Sequence, residues 1–115
     1  AEVCYRRILQ MQAKSIPALN SLTWLLATAP DEGVRDGEAA LKVAKILEGS
    51  PVRNHPAIMD TVAAAYAAAG YFKVAVTMAE RAIERGAGDE ERAARIGERL
   101  QRYRAGEAWV RRAGE

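Results

Sequence analysis

The sequence predicts an all-α protein, built from stacked antiparallel helix pairs and closed by a C-terminal capping helix. Alanine accounts for 24 of the 115 residues, and alanine favours closely packed helices. The runs of Val, Ile, Thr and Tyr that are typical of strands are missing, which disfavours a sandwich or barrel. Half of the residues are hydrophobic and 28% are charged, so the chain is able to form a compact core.

Apolar spacing and helix-breaking residues divide the chain into helical segments. Pro17 suits a first helical turn, residues 54–56 open a later helix, and Gly70 tolerates the left-handed conformation that ends one. Asp89 is predicted to cap the last helix, and residues 30–36 are predicted to form a loop. The predicted helices are 1–14, 17–29, 37–48, 56–69, 72–85 and 90–104.

The chain contains an internal repeat with an offset of 40 residues. The segment that starts at Leu19 aligns with the one that starts at Met59, so that apolar residues coincide at four positions. Each segment is followed by a helix with small or apolar residues at regular spacing; these are Ala40, Ala44 and Leu47 in one unit and Ala75, Ala79 and Ala82 in the other. A repeat of this length is typical of helical arrays.

The second unit carries a family resemblance. It reads Met59-x2-Val62-Ala63-x2-Tyr66-x8-Ala75-x3-Ala79-x2-Ala82, and it resembles the tetratricopeptide repeat, W-x2-L-G-x2-Y-x8-A-x3-F-x2-A-x4-P. The unit departs from that pattern at the Trp, the Gly, the aromatic residue and the Pro, where it has Met59, Ala63, Ala79 and Ala87. These departures suggest a divergent or terminal repeat.

The resemblance implies an organisation for the whole chain, as a fragment of a right-handed superhelix. Residues 1–15 would be the second helix of an incomplete repeat, 16–49 a repeat with a loop insertion at 30–36, and 55–88 a further repeat. Residues 89–104 would form the capping helix and 105–115 a tail. The cap is supported by an apolar stripe on one side of its helix, which consists of Ala93, Ile96, Leu100 and Tyr103.

The apolar face of the predicted helix 1–14 leads us to expect contacts beyond the chain itself. Half a repeat does not bury its own apolar face, so the native protein is expected to continue N-terminally. In the isolated chain, Val3, Ile8 and Met11 would leave an apolar stripe that a second copy could cover as a two-fold homodimer. The competing possibility is that this stripe packs entirely on the helix at 17–29.

The residue inventory argues against several kinds of chemistry. Cys4 and His55 are the only Cys and His, which excludes an intramolecular disulfide and a zinc-binding thiolate cluster. Cys4 is interpreted as a packing residue, and His55 as a helix cap or a solvent-facing residue. No apolar run is long enough to cross a membrane. We therefore expect no enzymatic activity, no cofactor and no metal.

The acidic residues in and after the loop lack the spacing of a calcium site; they are Asp31, Glu32, Asp36 and Glu38. Asp36 is interpreted as a helix cap.

The resemblance implies a protein–protein interaction module that binds a peptide or helix in its concave groove. The expected groove residues are Asn20, Trp24, Ala27, Thr28, Asp60, Ala64, Ala67 and Ala68. Trp24 is either an anchor for the partner or a core residue. Some family members hold a peptide's terminal carboxylate with Lys, Arg and Asn on these faces. Only Asn20 fits that role, so carboxylate capture is not expected.

A nucleic-acid-binding helix is the alternative hypothesis. Residues 90–115 hold seven Arg and five acidic residues, which accounts for the whole net charge of +2. Tyr103 and Trp109 lie nearby, and basic residues interleaved with aromatic ones are typical of nucleic-acid contacts. A solvated cap whose Arg residues pair with Glu91, Glu98 and Glu107 is favoured, because so small a surplus releases few counterions.

Overall fold

The structure is a computed structural model that describes residues 15–111, and this part of the chain is helical, without strands. Its helices are α1 (Ile16–Thr28), α2 (Gly37–Glu48), α3 (Pro56–Ala68), α4 (Phe72–Arg85) and α5 (Glu90–Arg104). The all-α prediction is confirmed, and these bounds lie within one or two residues of the predicted ones. The predicted helix 1–14, with Cys4 and the dimer stripe, lies outside the described residues.

Side chains cap the N-termini of most of these helices. The capping residues are Ser15, Asp36, His55 and Asp89, and each accepts a hydrogen bond from a backbone N–H in the first turn. The predicted cap at His55 is confirmed, since its Nδ1 accepts from the Ala57 N–H at 3.2 Å. Asp36 likewise accepts from the Ala39 N–H at 3.1 Å. Within residues 15–111, no cluster of His, Cys, Asp or Glu has the arrangement of a metal site.

The first helix pair, α1 and α2, is packed with large apolar side chains. An irregular loop, 29–36, joins the two helices, and the Asp36 N–H donates to the Leu26 carbonyl at its end, at 2.7 Å. Leucine and valine side chains fill the interface; the largest buried ones are Leu19, Leu22, Leu26, Val43 and Leu47. Gly37 lies against the Ala68 carbonyl of α3, where no side chain would fit.

The second helix pair, α3 and α4, is packed largely with alanine. A turn at 69–71 joins the helices, and Gly70 adopts a φ of +93° there, as predicted for a residue that ends a helix. Gly86, which follows α4, lies beside Pro56 at the start of α3, so the two helices run antiparallel. The buried residues of this pair include Ala63, Ala67, Ala75, Ala79 and Ala82.

Helix α5 covers the end of the second pair. Its Ile96, Leu100 and Tyr103 are buried against the alanine surface, in one core with Met59 of α3. After α5 the chain turns back, and the Arg111 N–H donates to the Thr28 carbonyl at the end of α1, at 2.8 Å. Residues 107–111 therefore connect the capping helix to the first pair. None of the helices described here has the length and apolar character that crossing a membrane would require.

Candidate functional site

A pocket of about 390 Å³ opens between α1, α3 and α5. Its lining combines arginines from α5 with polar and aromatic residues from the other two helices: Asn20, Ser21, Trp24, Ala57, Asp60, Thr61, Arg92, Arg95 and Arg99. We call it the arginine pocket. The three arginines share one side of α5 because residues three and four positions apart are neighbours on a helix.

A nearly buried ion pair forms one wall of the arginine pocket. Arg99 Nη1 donates to Asp60 Oδ2 at 2.7 Å, and the two side chains are only 14% and 16% exposed. Burial raises the pKa of Asp60 above its ordinary value, while the positive charges of Arg99, Arg95 and Arg92 oppose that increase. The pair joins α3 to α5, so it helps to hold the capping helix beside the first helix of the second pair.

Two tryptophan rings hold the Arg99 guanidinium in place. Its central carbon lies 4.7 Å from the centroid of Trp24 and 5.7 Å from that of Trp109. Both distances suit a cation–π contact, which is stronger where water is partly excluded. Since Arg99 already contacts Asp60 and both rings, its role is to build the pocket.

Arg95 is the cation in the pocket that lacks an acidic partner. Arg92 has only a long contact with Asp89, 3.9 Å from Nε to Oδ2. Arg95 forms no ion pair with any residue in the described part of the chain, and it is exposed at the pocket wall. With three arginines and Asp60, the lining has a net positive charge. Its chemistry therefore suits an anionic group, to which arginine donates paired hydrogen bonds.

Several polar atoms at this junction are buried without a hydrogen-bond partner in the structure. They are Asn20 Oδ1, Asp60 Oδ1, Arg99 Nε and the Tyr103 hydroxyl oxygen. Burial raises the pKa of Tyr103 strongly, and the nearby Asp60 charge adds to the increase. Such atoms are costly in a packed interior, and ordinary cores contain few of them. The junction of α1, α3 and α5 thus contains a layer of polar groups.

The predicted groove residues divide into two groups. Asn20, Trp24 and Asp60 meet in the arginine pocket. Ala27, Thr28, Ala64 and Ala67 are buried in the core, and Ala68 is partly buried against the core that α1, α2 and α3 share. The buried ones offer no side-chain surface, because α1 packs on α3 and Ala67 lies in the core that α3, α4 and α5 share. Trp24 packs on the core, which is one of its two predicted roles, and it also lines the pocket.

The sequence did not predict that arginines of α5 line this site. Of the three acidic partners expected for them, only Glu107 forms an ion pair within residues 15–111, to Arg102 at 3.6 Å. A signal was present in the pattern, because Arg99 falls between Ile96 and Tyr103 at helical spacing. A residue at that position flanks a buried stripe, which places its head at an interface.

Comparisons of the chain with protein-family models, with curated proteins and with solved structures find no match. The case for a function therefore rests on the arginine pocket. Its hydroxyl groups come from Ser21 and Thr61, and Thr61 donates to the Ala57 carbonyl at 3.0 Å. His55 accepts a hydrogen bond as a helix cap, and it is not part of the lining.

Proposed function

We propose that the chain is a non-catalytic, tetratricopeptide-like binding module whose arginine pocket receives an acidic residue of a protein or peptide partner. The observation that carries this proposal is Arg95, an exposed guanidinium without an acidic partner among residues 15–111, at the mouth of a pocket with net positive charge. Arg92 lies one helical turn away and supplies a second donor.

Neighbouring groups complete a site for a peptide. Trp24 presents the remaining part of its ring beside the guanidinium groups, and a partly buried aromatic side chain is a frequent anchor in interfaces. Asn20 lies on the same wall, where its amide can bind the backbone of an extended segment. A partner segment with an acidic side chain flanked by apolar residues matches the guanidinium groups, the Trp24 ring and the Asn20 amide.

Isothermal titration calorimetry of the full chain with a glutamate-rich peptide tests the proposal. The matched peptide with glutamine at each glutamate should not bind. Arg95→Ala should weaken binding on the order of tenfold, because hydrogen bonds to charged groups contribute about 1.5–3 kcal/mol. Arg81→Ala removes the same charge at an exposed position of α4 outside the pocket, and it should bind like the parent. Equal losses in both variants would contradict a specific site.

The nucleic-acid hypothesis is weakened by ion pairing along α5. Four of its arginines lie within 4.0 Å of a carboxylate; they are Arg92, Arg99, Arg102 and Arg104. A surface neutralised in this way releases few counterions from a phosphate backbone. Titration with a single-stranded oligonucleotide separates the two hypotheses. Tight binding that falls steeply with salt and decreases equally in both arginine variants would favour nucleic acid over the peptide.

A further inference from the structure

The arginine pocket contains more hydrogen-bond donors than one carboxylate requires. A single guanidinium satisfies a carboxylate through two parallel hydrogen bonds. The lining holds two guanidinium groups that do not pair with Asp60, those of Arg92 and Arg95. We propose that the preferred occupant is a phosphorylated serine or threonine of the partner, whose phosphate binds both groups. The proposal rests on the proposed function, because it names the acidic group that the same pocket receives.

The charge of the lining matches a phosphate better than a carboxylate. Three arginines and one aspartate give the lining a formal net positive charge of two units. A phosphoserine carries a charge of about −1.5 to −2 at pH 7, whereas a glutamate carries a single negative charge. A phosphate therefore neutralises the lining, and a glutamate leaves much of its positive charge uncompensated.

The one acidic residue of the lining is largely withdrawn from the opening. Asp60 Oδ2 accepts a hydrogen bond from Arg99, and Asp60 Oδ1 is buried. By contrast, Arg95 is exposed and the side chain of Arg92 is 33% exposed. An anion that enters the pocket therefore meets guanidinium donors rather than carboxylate oxygen atoms.

Helix α1 adds neutral donors to the arginines of α5. Ser21 is exposed in the lining, and its hydroxyl forms no hydrogen bond within residues 15–111. The amide nitrogen of the neighbouring Asn20 likewise forms none in this part of the chain. A phosphate has three acceptor oxygens in a tetrahedral arrangement, so it accepts from donors on several sides. A planar carboxylate uses fewer of these donors at once.

The surroundings of the pocket favour a phosphate carried by a peptide over one carried by a membrane. Attachment to an anionic membrane requires a cluster of several basic residues on one surface. Farther along α5, however, Arg102 and Arg104 already pair with carboxylates. Trp24 lies in the same lining and packs partly on the core. One charged pocket beside an aromatic ring suits a single phosphorylated residue in an extended segment.

Calorimetry of the full chain with three matched peptides tests the assignment. The peptides differ at one central position, between apolar residues, which is serine, phosphoserine or glutamate. The phosphoserine peptide should bind on the order of tenfold more tightly than the glutamate peptide, because it gains a further charge-assisted hydrogen bond. The serine peptide should not bind. Arg92→Ala should remove most of the preference for phosphoserine, whereas Arg81→Ala, outside the pocket, should retain it.

Phosphorus NMR reports on the same contact directly. At pH 6 a free phosphoserine is about half dianionic. Two guanidinium groups favour the dianion, so saturation with the protein should move the phosphorus signal toward its position at high pH. Arg92→Ala should reduce that shift without unfolding the protein. Alanine retains the backbone N–H that donates to Asp89, and the side chain loses only a 3.9 Å contact with the same residue.

The outcomes separate this assignment from the proposed function. Equal affinity for the phosphoserine and glutamate peptides, or a preference that Arg92→Ala leaves intact, overturns the phosphate assignment alone. Inorganic phosphate or phosphatidic acid vesicles that displace the phosphopeptide at equal phosphate concentration overturn the peptide as the carrier. Absence of binding by the phosphoserine, glutamate and glutamate-rich peptides overturns the proposed function and the phosphate assignment with it.

Discussion

The two helix pairs have the same antiparallel arrangement, but different side chains fill them. The pair α1–α2 is filled by leucine and valine and has a long connecting loop, 29–36. The pair α3–α4 is lined by alanine and has a tight turn, 69–71. Large side chains stabilise an interface by burying apolar area, whereas alanine lets two backbones approach closely. The first pair should therefore be sensitive to the removal of volume, and the second to its addition.

This difference also explains where the arginine pocket forms. Alanine leaves a shallow surface on the second pair, and α5 covers it with Ile96, Leu100 and Tyr103. Close seating of α5 brings Arg99 within 2.7 Å of Asp60 on α3. The site is thus a consequence of the small residues in one pair, combined with Trp24 from the other.

Removal of side-chain volume from the first pair should lower the free energy of unfolding the most. Leu47 is fully buried in the α2 interface. Leu47→Ala should lower the free energy of unfolding by about 3 kcal/mol, through lost burial and the cavity that remains. The adjacent Ile46 is 43% exposed and serves as the control, since Ile46→Ala should cost much less. Urea denaturation measures both. Equal losses would mean that the first pair is not packed around Leu47.

Addition of side-chain volume to the second pair should lower the free energy of unfolding by somewhat less. Ala75 and Ala63 are fully buried where α3 and α4 cross. Ala75→Leu or Ala63→Leu should destabilise the protein by about 2 kcal/mol through overpacking. Val74→Leu enlarges a side chain that is 41% exposed on the same helix and should leave the denaturation midpoint nearly unchanged. An unchanged midpoint for Ala75→Leu would show that the two helices do not approach closely there.

Sequence reasoning predicted the local features of this fold well, because local signals determine them. Helix bounds follow from residues such as Gly70 and Pro56, and the caps at Asp36 and His55 depend on atoms two or three residues away. The arginine pocket depends on a contact between Asp60 and Arg99, 39 positions apart. Periodicity identifies the apolar face of a helix, but it does not reveal which flanking arginine finds a distant partner.

The course of residues 107–111 was not predicted for the same reason. A short tail with one aromatic residue carries no periodic signal, and its Arg111 N–H donates to the carbonyl of Thr28, which is remote in sequence. Trp109 reaches Trp24 only through the shared guanidinium of Arg99. Of the expected groove residues, Ala27 and Ala64 are buried where α1 packs on α3, and Ala67 is buried in the core that α3, α4 and α5 share.

Substitutions at two glycines test whether the first and second helix pairs approach each other closely. A Cβ at Gly37 would collide with the Ala68 carbonyl, so Gly37→Ala should destabilise the protein by about 1–2 kcal/mol. Gly97, inside α5, has no atom within 4 Å of a Cβ, and Gly97→Ala should stabilise the protein by about 0.5–1 kcal/mol. Thermal unfolding distinguishes these opposite signs. The same sign for both variants would contradict the contact between α2 and α3.

Tyr66 connects the two helix pairs through packing and one hydrogen bond. It packs against the core shared by α1, α2 and α3 and against the core shared by α3, α4 and α5. Its hydroxyl donates to Glu48 Oε1, at the end of α2, at 2.6 Å. Tyr66→Phe should cost about 1 kcal/mol at neutral pH, because one hydrogen bond to a carboxylate is lost. Tyr71→Phe is the matched control, since Tyr71 is 56% exposed and its hydroxyl makes no hydrogen bond within residues 15–111.

The pH dependence of stability distinguishes this hydrogen bond from simple packing. Burial, and then the hydrogen bond and charge of Glu48, raise the pKa of Tyr66 from 10.0 to about 12. Between these values the folded protein keeps the phenolic proton that the unfolded chain has lost, so the stability from Tyr66 falls as pH rises through this window. The advantage of the parent over Tyr66→Phe should therefore shrink above pH 10 in urea titrations. A difference that stays constant across this window would mean that Tyr66 acts through packing alone.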